Sequence, residues 1–173
     1  NVIMGYNAGH GGTGELDRCI AIGAYAMDGT GTVSGQQNIF IGDNAGGGSW
    51  TTAASNSNVA IGATAMSDAL NGALGNTTVG HDGLKSLISG DNNVAIGRVA
   101  GTSVTSGYNN VMLGAYAGDA ITTGESNTAL GNAALSAEDT GTRNVAIGNE
   151  ALKDLNYDGA GYNLAIGHRA AYT

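Results

Sequence analysis

Apolar and polar positions in this chain follow one short rule, repeated ten times: an asparagine, an apolar residue, a third residue that is most often small, a second apolar residue and a glycine. Four of these blocks in register are Asn38-Ile39-Phe40-Ile41-Gly42, Asn93-Val94-Ala95-Ile96-Gly97, Asn110-Val111-Met112-Leu113-Gly114 and Asn144-Val145-Ala146-Ile147-Gly148. Residues two apart in a strand share a face. The β-branched residues on either side of the middle position therefore line one face, and the small residue lies on the other, where another backbone approaches closely. A helix fits poorly, because 31 glycines would each cost about 1 kcal/mol relative to alanine in a helix interior. Each block is predicted to be a short parallel strand ended by a glycine turn.

The motif glycines are Gly5, Gly23, Gly42, Gly62, Gly80, Gly97, Gly114, Gly131, Gly148 and Gly167, at spacings of 18, 19, 20, 18, 17, 17, 17, 17 and 19. A unit this short cannot close its own core and must bury its apolar groups against its neighbours. The expected fold is all-β, a parallel β-solenoid of ten coils of about 17 residues, with residues 1–173 forming one array. At about 4.8 Å per coil, ten coils make a rod on the order of 50 Å long.

The block-opening asparagine stands at Asn1, Asn38, Asn58, Asn76, Asn93, Asn110, Asn127, Asn144 and Asn163, with only Cys19 departing. Identical amides stacked one coil apart can donate and accept along the rod as a ladder, satisfying polar groups at a buried corner. Three residues after the glycine comes alanine in every unit except the fifth, which has Gly83. So small a residue at every level implies close packing, within the coil or against a partner chain. The stretches between blocks, such as Thr102 to Asn109 or Lys85 to Asn92, vary in length and type and read as surface loops.

The blocks Asn58 to Gly62, Asn93 to Gly97 and Asn144 to Gly148 resemble the head repeats of trimeric autotransporter adhesins, and also the longer-period version found in bacteriophage tail fibres. The resemblance spans the whole chain. It implies a left-handed parallel β-roll with three chains side by side, hence a homotrimer. The adhesin heads have a period nearer 14 or 15, so the loops here are longer. Neither the neck nor the membrane anchor of an autotransporter is visible, nor is a self-cleaving chaperone of the kind that ends some phage fibres.

The net charge of -8, with only six Lys and Arg scattered along the chain, argues against nucleic acid as a partner. No apolar run approaches the roughly 18 residues needed to cross a bilayer. The lone Cys19 forbids an internal disulfide and reads as a small buried residue. Proline is absent, as a ladder that uses every backbone N–H requires. Solenoid ends need caps and neither terminus shows one, so the chain reads as a piece of a longer fibre or as units that meet end to end.

Candidate chemistry is thin. Gly9-His10-Gly11-Gly12-Thr13-Gly14 satisfies a dinucleotide glycine pattern, but no helix signal follows it. Gly11 to Asp17 approximates a calcium nonapeptide once, where such motifs act by repetition, which leaves at most an incidental ion at a loop acid such as Asp43 or Asp119. His81 and His168 lie five units apart and cannot share a metal. The acids Glu138, Asp139, Asp154 and Asp158 read as an ordinary acidic surface rather than a hydrolase pair. Asn76-Thr77-Thr78 is a glycosylation sequon on a ladder asparagine. No catalytic residue, metal site or cofactor is expected.

Aromatic residues offer the one recognition chemistry. Trp50, Tyr108, Tyr157 and Tyr162 lie in the variable loops, where rings stack on sugars while Asn, Asp and Thr bond hydroxyls, a weak multivalent glycan surface. The functional expectation is a non-enzymatic segment of an extracellular fibre, first a viral or phage tail fibre with a receptor-binding surface. The alternatives are the head of a bacterial surface adhesin and a purely structural self-stacking filament.

Overall fold

The computed structural model describes residues 1–156 and 161–171. Ten three-residue strands form one parallel sheet in strict chain order: β1 (Val2–Met4), β3 (Ile20–Ile22), β5 (Ile39–Ile41), β6 (Val59–Ile61), β7 (Thr77–Val79), β8 (Val94–Ile96), β9 (Val111–Leu113), β10 (Thr128–Leu130), β11 (Val145–Ile147) and β12 (Leu164–Ile166). Registers superpose the motif, as in Val94↔Val111, Ala95↔Met112 and Ile96↔Leu113. β2 (Leu16–Asp17) and β4 (Gly35–Gln36) make a second, two-stranded sheet confined to the early coils. The fold is a parallel β-solenoid, one coil per repeat.

The asparagines form the ladder expected of them. From Asn58 onward each backbone N–H donates to the Oδ1 of the asparagine one coil earlier, at 2.9–3.2 Å through Asn76, Asn93, Asn110, Asn127, Asn144 and Asn163. The amide nitrogen of Asn93 bonds both Asn76 Oδ1 at 3.0 Å and the loop carbonyl of Gly107 at 2.8 Å. Asn110 and Asn127 repeat this with Gly124 and Gly141. Asn38, Asn58, Asn76, Asn93, Asn110 and Asn144 are fully buried. Cys19 N–H donates to Asn1 Oδ1 at 2.7 Å, and its thiol points at the Gly35 carbonyl at 3.3 Å, where an asparagine would place its amide. The thiol cannot hand an oxygen on to Asn38, so the ladder starts afresh there.

Each coil turns through four residues of positive φ: the one before the asparagine, the motif glycine, and the second and fourth after it, as at Asn92, Gly97, Val99 and Gly101. At Gly97 the φ is 137°, and a Cβ would meet the Gly114 carbonyl at 2.5 Å, so successive backbones are stacked too closely for any side chain.

The strand's middle residue and the alanine after the turn both point into the coil, where Ala21, Ala60, Ala95, Ala129 and Ala146 have no exposure, and neither do Ala26, Ala65 and Ala100. The close approach inferred from these small residues is therefore internal to the coil. Size is traded between two positions at most levels; at the sixth, where Ala95 and Gly101 are both small, Met112 and Leu84 of the neighbouring coils fill the space. Where the fourth residue after the glycine is large (Met27, Met66, Leu135, Leu152), the strand carries Ala21, Ala60, Ala129 or Ala146; where it is Gly46 or Gly118, the strand carries Phe40 or Met112. A Cβ on Gly46 would strike the Phe40 ring at 2.8 Å. The odd Gly83 has the same origin, since a Cβ there would run into Thr78 Oγ1. The far side of the core comes from loop residues: Leu70, Leu87, Val104 and Ile121 are fully buried at 17-residue intervals. These loops are not wholly a surface, as their composition suggested.

Candidate functional site

With the small residues inside, alternation turns the bulky ones outward. The strand residues flanking the middle position form two columns on the outer face of the sheet, Val59, Thr77, Val94 and Val111 in one and Ile61, Val79, Ile96 and Leu113 in the other. The second four remain 36–44% exposed. Eighteen of the twenty positions in the two columns are apolar, Thr77 and Thr128 being the exceptions. The result is one apolar strip running the length of the described rod. Monomeric proteins rarely leave so long an apolar stretch in water, since covering a residue of this type is worth about 1.5–3 kcal/mol.

Polar and aromatic columns border the strip. Before the strands lie Asp17-Arg18, Gln36-Gln37, Asp91-Asn92, Tyr108-Asn109, Glu125-Ser126, Thr142-Arg143 and Gly161-Tyr162; after them lie Asp43-Asn44, His81-Asp82, Arg98-Val99, Ala115-Tyr116, Asn149-Glu150 and His168-Arg169. Contacts along each column hold these side chains in place. Arg98 lies over the Tyr116 ring at 4.7 Å and Arg143 over Tyr162 at 5.7 Å. Arg143 also reaches Glu125 at 3.2 Å, and Arg169 reaches Glu150 at 2.7 Å. Asp91 accepts the Leu74 N–H at 2.8 Å. Burial works against ionisation of Asp82, but a 2.6 Å bond from the Thr64 hydroxyl, with His81 at 2.7 Å and Lys85 at 3.7 Å, holds its carboxyl below the usual range.

The aromatic residues singled out for sugar contact part company. Tyr108 and Tyr162 stand exposed on the border of the strip, at 43% and 69%. Trp50 does not: it is 3% exposed, packs edge-on against Phe40 at 6.1 Å and donates its indole N–H to the Gly46 carbonyl at 3.3 Å. It is a core residue, because the longer third coil folds its loop inward over Phe40. Tyr157 lies outside the described residues, as does Asp158.

The remaining candidates do not converge. Glu138 is fully buried, taking the place that Ile121 holds one coil earlier, and accepts the Gly141 N–H at 2.7 Å, while Asp139 accepts the N–H of Thr140 at 2.7 Å. Asp119 has one buried carboxylate oxygen without a hydrogen-bond partner among the described residues, and burial raises its pKa. Gly9 to Thr13, with Gly31 and Thr32, line a shallow open groove of about 540 Å³, and no helix begins there. The sequon asparagine Asn76 is a buried rung of the ladder.

Comparison with protein families, curated proteins and solved structures finds no match to this chain. The function must be argued from the rod and its surface.

Proposed function

We propose that this chain is a non-enzymatic structural and adhesive segment of an extracellular fibre, built from three copies of the chain. The first reading is a viral or phage tail fibre that presents or forms a glycan-binding receptor surface. The observation that carries it is the unbroken stack: backbone and asparagine bonds join each level to the next from Asn38 to Asn163, so rigidity is built into the sequence and needs no ligand. Such a rod suits projection and load. Its long apolar strip supports side-by-side assembly. Tyr108 and Tyr162 support sugar contact, each offering a ring face beside asparagine or arginine donors.

Analytical ultracentrifugation at micromolar concentration checks the assembly, with three chains per particle expected and a stable monomer fatal to it. A glycan array probed with the assembled protein, and with the Tyr108→Ala/Tyr162→Ala variant, checks recognition. Binding that the double variant abolishes is expected; an array silent with both proteins removes the receptor role. The adhesin head uses the same coil, and the gene's surroundings separate the two: tail and baseplate genes for the first, a C-terminal membrane barrel in the same gene for the second.

A further inference from the structure

Six lysines and arginines stand on this acidic rod, and five of them are engaged by carboxylates: Arg18 by Asp17, Lys85 by Asp82, Arg143 by Glu125, and Lys153 and Arg169 by Glu150. Arg98 is the exception. Among the described residues no carboxylate lies within ion-pair distance of it, and its exposed guanidinium rests on the Tyr116 ring, 4.7 Å from the centroid. Stacking occupies the face of a guanidinium and leaves its N–H edges open, and those edges bind a carboxylate as a fork.

The surroundings complete a site. Backbone bonds set Arg98, Ala115 and Asn132 one above another on the corner that follows the strands, Tyr116 N–H donating to Arg98 O at 3.0 Å and Ala133 N–H to Ala115 O at 2.9 Å. Arg98 leans onto Tyr116 from the level before, and Asn132 leans back from the level after, its Nδ2 donating to Ala115 O at 3.2 Å. Both donors converge on a level whose own residue in this column is alanine. Asn149 Nδ2 donates to Asn132 Oδ1 at 3.2 Å, which fixes the Asn132 amide and leaves its second N–H for a ligand. Arg98 and Asn132 start about 9.6 Å apart, two rises of the coil, a notch floored by one methyl. The nearest acids of these columns are held by partners of their own: Asp82, two levels before Ala115, by His81 at 2.7 Å and Lys85 at 3.7 Å, and Glu150, two levels after, by Lys153 at 3.3 Å and Arg169 at 2.7 Å.

We propose that the notch over Ala115 binds a sugar that carries a carboxylate, a uronic or ulosonic acid unit of a surface glycan. The inference rests on the glycan-receptor reading above and adds to it a site and a charge. Arg98 takes the carboxylate, Asn132 donates to a ring hydroxyl, and the Ala115 methyl meets the apolar side of the ring. One guanidinium matches one planar, singly charged group, while the net charge of -8 repels more heavily charged phosphates. A single such site is weak, and copies carried on one fibre act together.

Ligand-observed NMR on the assembled protein, with methyl glucuronoside, methyl glucoside and glucose 6-phosphate as probes, tests the site. Saturation transfer to the glucuronoside is expected, with an affinity roughly tenfold or more above that for the other two; equal affinity for all three overturns the choice of a carboxylate. Arg98→Ala is expected to weaken glucuronoside binding roughly tenfold or more, Arg98→Lys by a smaller factor because the charge stays and the fork is lost, and Ala115→Leu to abolish it by filling the notch. Arg18→Ala, which removes a distant cation, is expected to change nothing, and unchanged Trp50 emission confirms the fold of each variant. Binding that survives Arg98→Ala, or that falls equally with Arg18→Ala, overturns the site. A glycan array that reads neutral glycans alone, undisturbed by Arg98→Ala, overturns the site and leaves the receptor reading standing. An array silent to every glycan, with no transfer to the glucuronoside, overturns both.

Discussion

The units between Gly80 and Gly148 and those between Gly5 and Gly62 solve the same packing problem at different lengths. The first are each 17 residues; the second run to 18, 19 and 20. In the uniform stretch successive levels repeat the same parts: Gly107, Gly124 and Gly141 offer the loop carbonyl to the ladder, and Leu87, Val104 and Ile121 fill one place in the core, which Glu138 takes at the last level. In the longer stretch the acceptors become the carbonyls of Ser55 and Ala73, a short extra sheet forms, and one large pair, Phe40 and Trp50, replaces the repeated aliphatic filler. The strands and their register do not change between the two. Added residues are absorbed on the side away from the strands, where the bonds between levels change partners from coil to coil, whereas the strand bonds repeat in one register throughout.

Three experiments press on this contrast. The largest effect is expected at the motif glycine of the uniform stretch. Gly97→Ala adds a Cβ at 2.5 Å from the Gly114 carbonyl in a φ that L-residues avoid, and should cost about 4 kcal/mol or more in chemical denaturation. Gly72→Ala, in a longer loop, meets only the Ala53 methyl at 3.4 Å and should cost about 1 kcal/mol, the strain of its backbone angle alone. Equal losses would show that loop and strand glycines are under the same constraint.

A smaller effect is expected on the ladder. Asn110→Ala strips a buried rung of its side-chain bonds to Asn93, Asn127 and Gly124, at about 2–3 kcal/mol for the polar groups left unpaired. Cys19→Asn should act in the opposite direction by about 1 kcal/mol, since an amide there restores the missing oxygen for Asn38. A destabilised Cys19→Asn chain would mean that the early coils are too tight for the amide.

The smallest concerns Asp119. Burial raises its pKa, so the folded state favours the protonated acid. The favourable contribution is then present below the ordinary aspartate pKa of 3.8 and lost as pH rises through the raised folded value. Asp119→Asn should therefore stabilise the chain at pH 7 by about 1 kcal/mol, and the gain should vanish below pH 3.8. A gain that persists in acid would assign it to the new amide bonds and not to the charge.

Repeat period, strand positions and ladder were legible in the sequence because each recurs with fixed spacing and a single physical cause. What small residues face was not. Alternation separates two faces of a strand without saying which is inside, and the alanines were ambiguous until the coil closed around them. The loop contribution to the core was half hidden. Leu70, Leu87, Val104 and Ile121 recur at 17 residues, but surrounding serines, threonines and glycines mask the signal. Trp50 was misplaced for a related reason: loop membership was taken as exposure, whereas a 20-residue unit has spare chain with which to fold an indole inward. The exchange of bulk between Phe40 and Gly46, or Met112 and Gly118, is visible in retrospect as a correlation six residues apart.

That exchange settles the interior largely within single storeys of the rod, with Met112 and Leu84 reaching across only to the level of Gly101. Duplicating or deleting a whole unit brings together surfaces that already fit, whereas a change of one or two residues beside a strand would disturb the storeys on both sides. Over generations such a molecule is free to alter its height while its girth stays fixed, and a population of related fibres would be expected to differ by whole multiples of one storey.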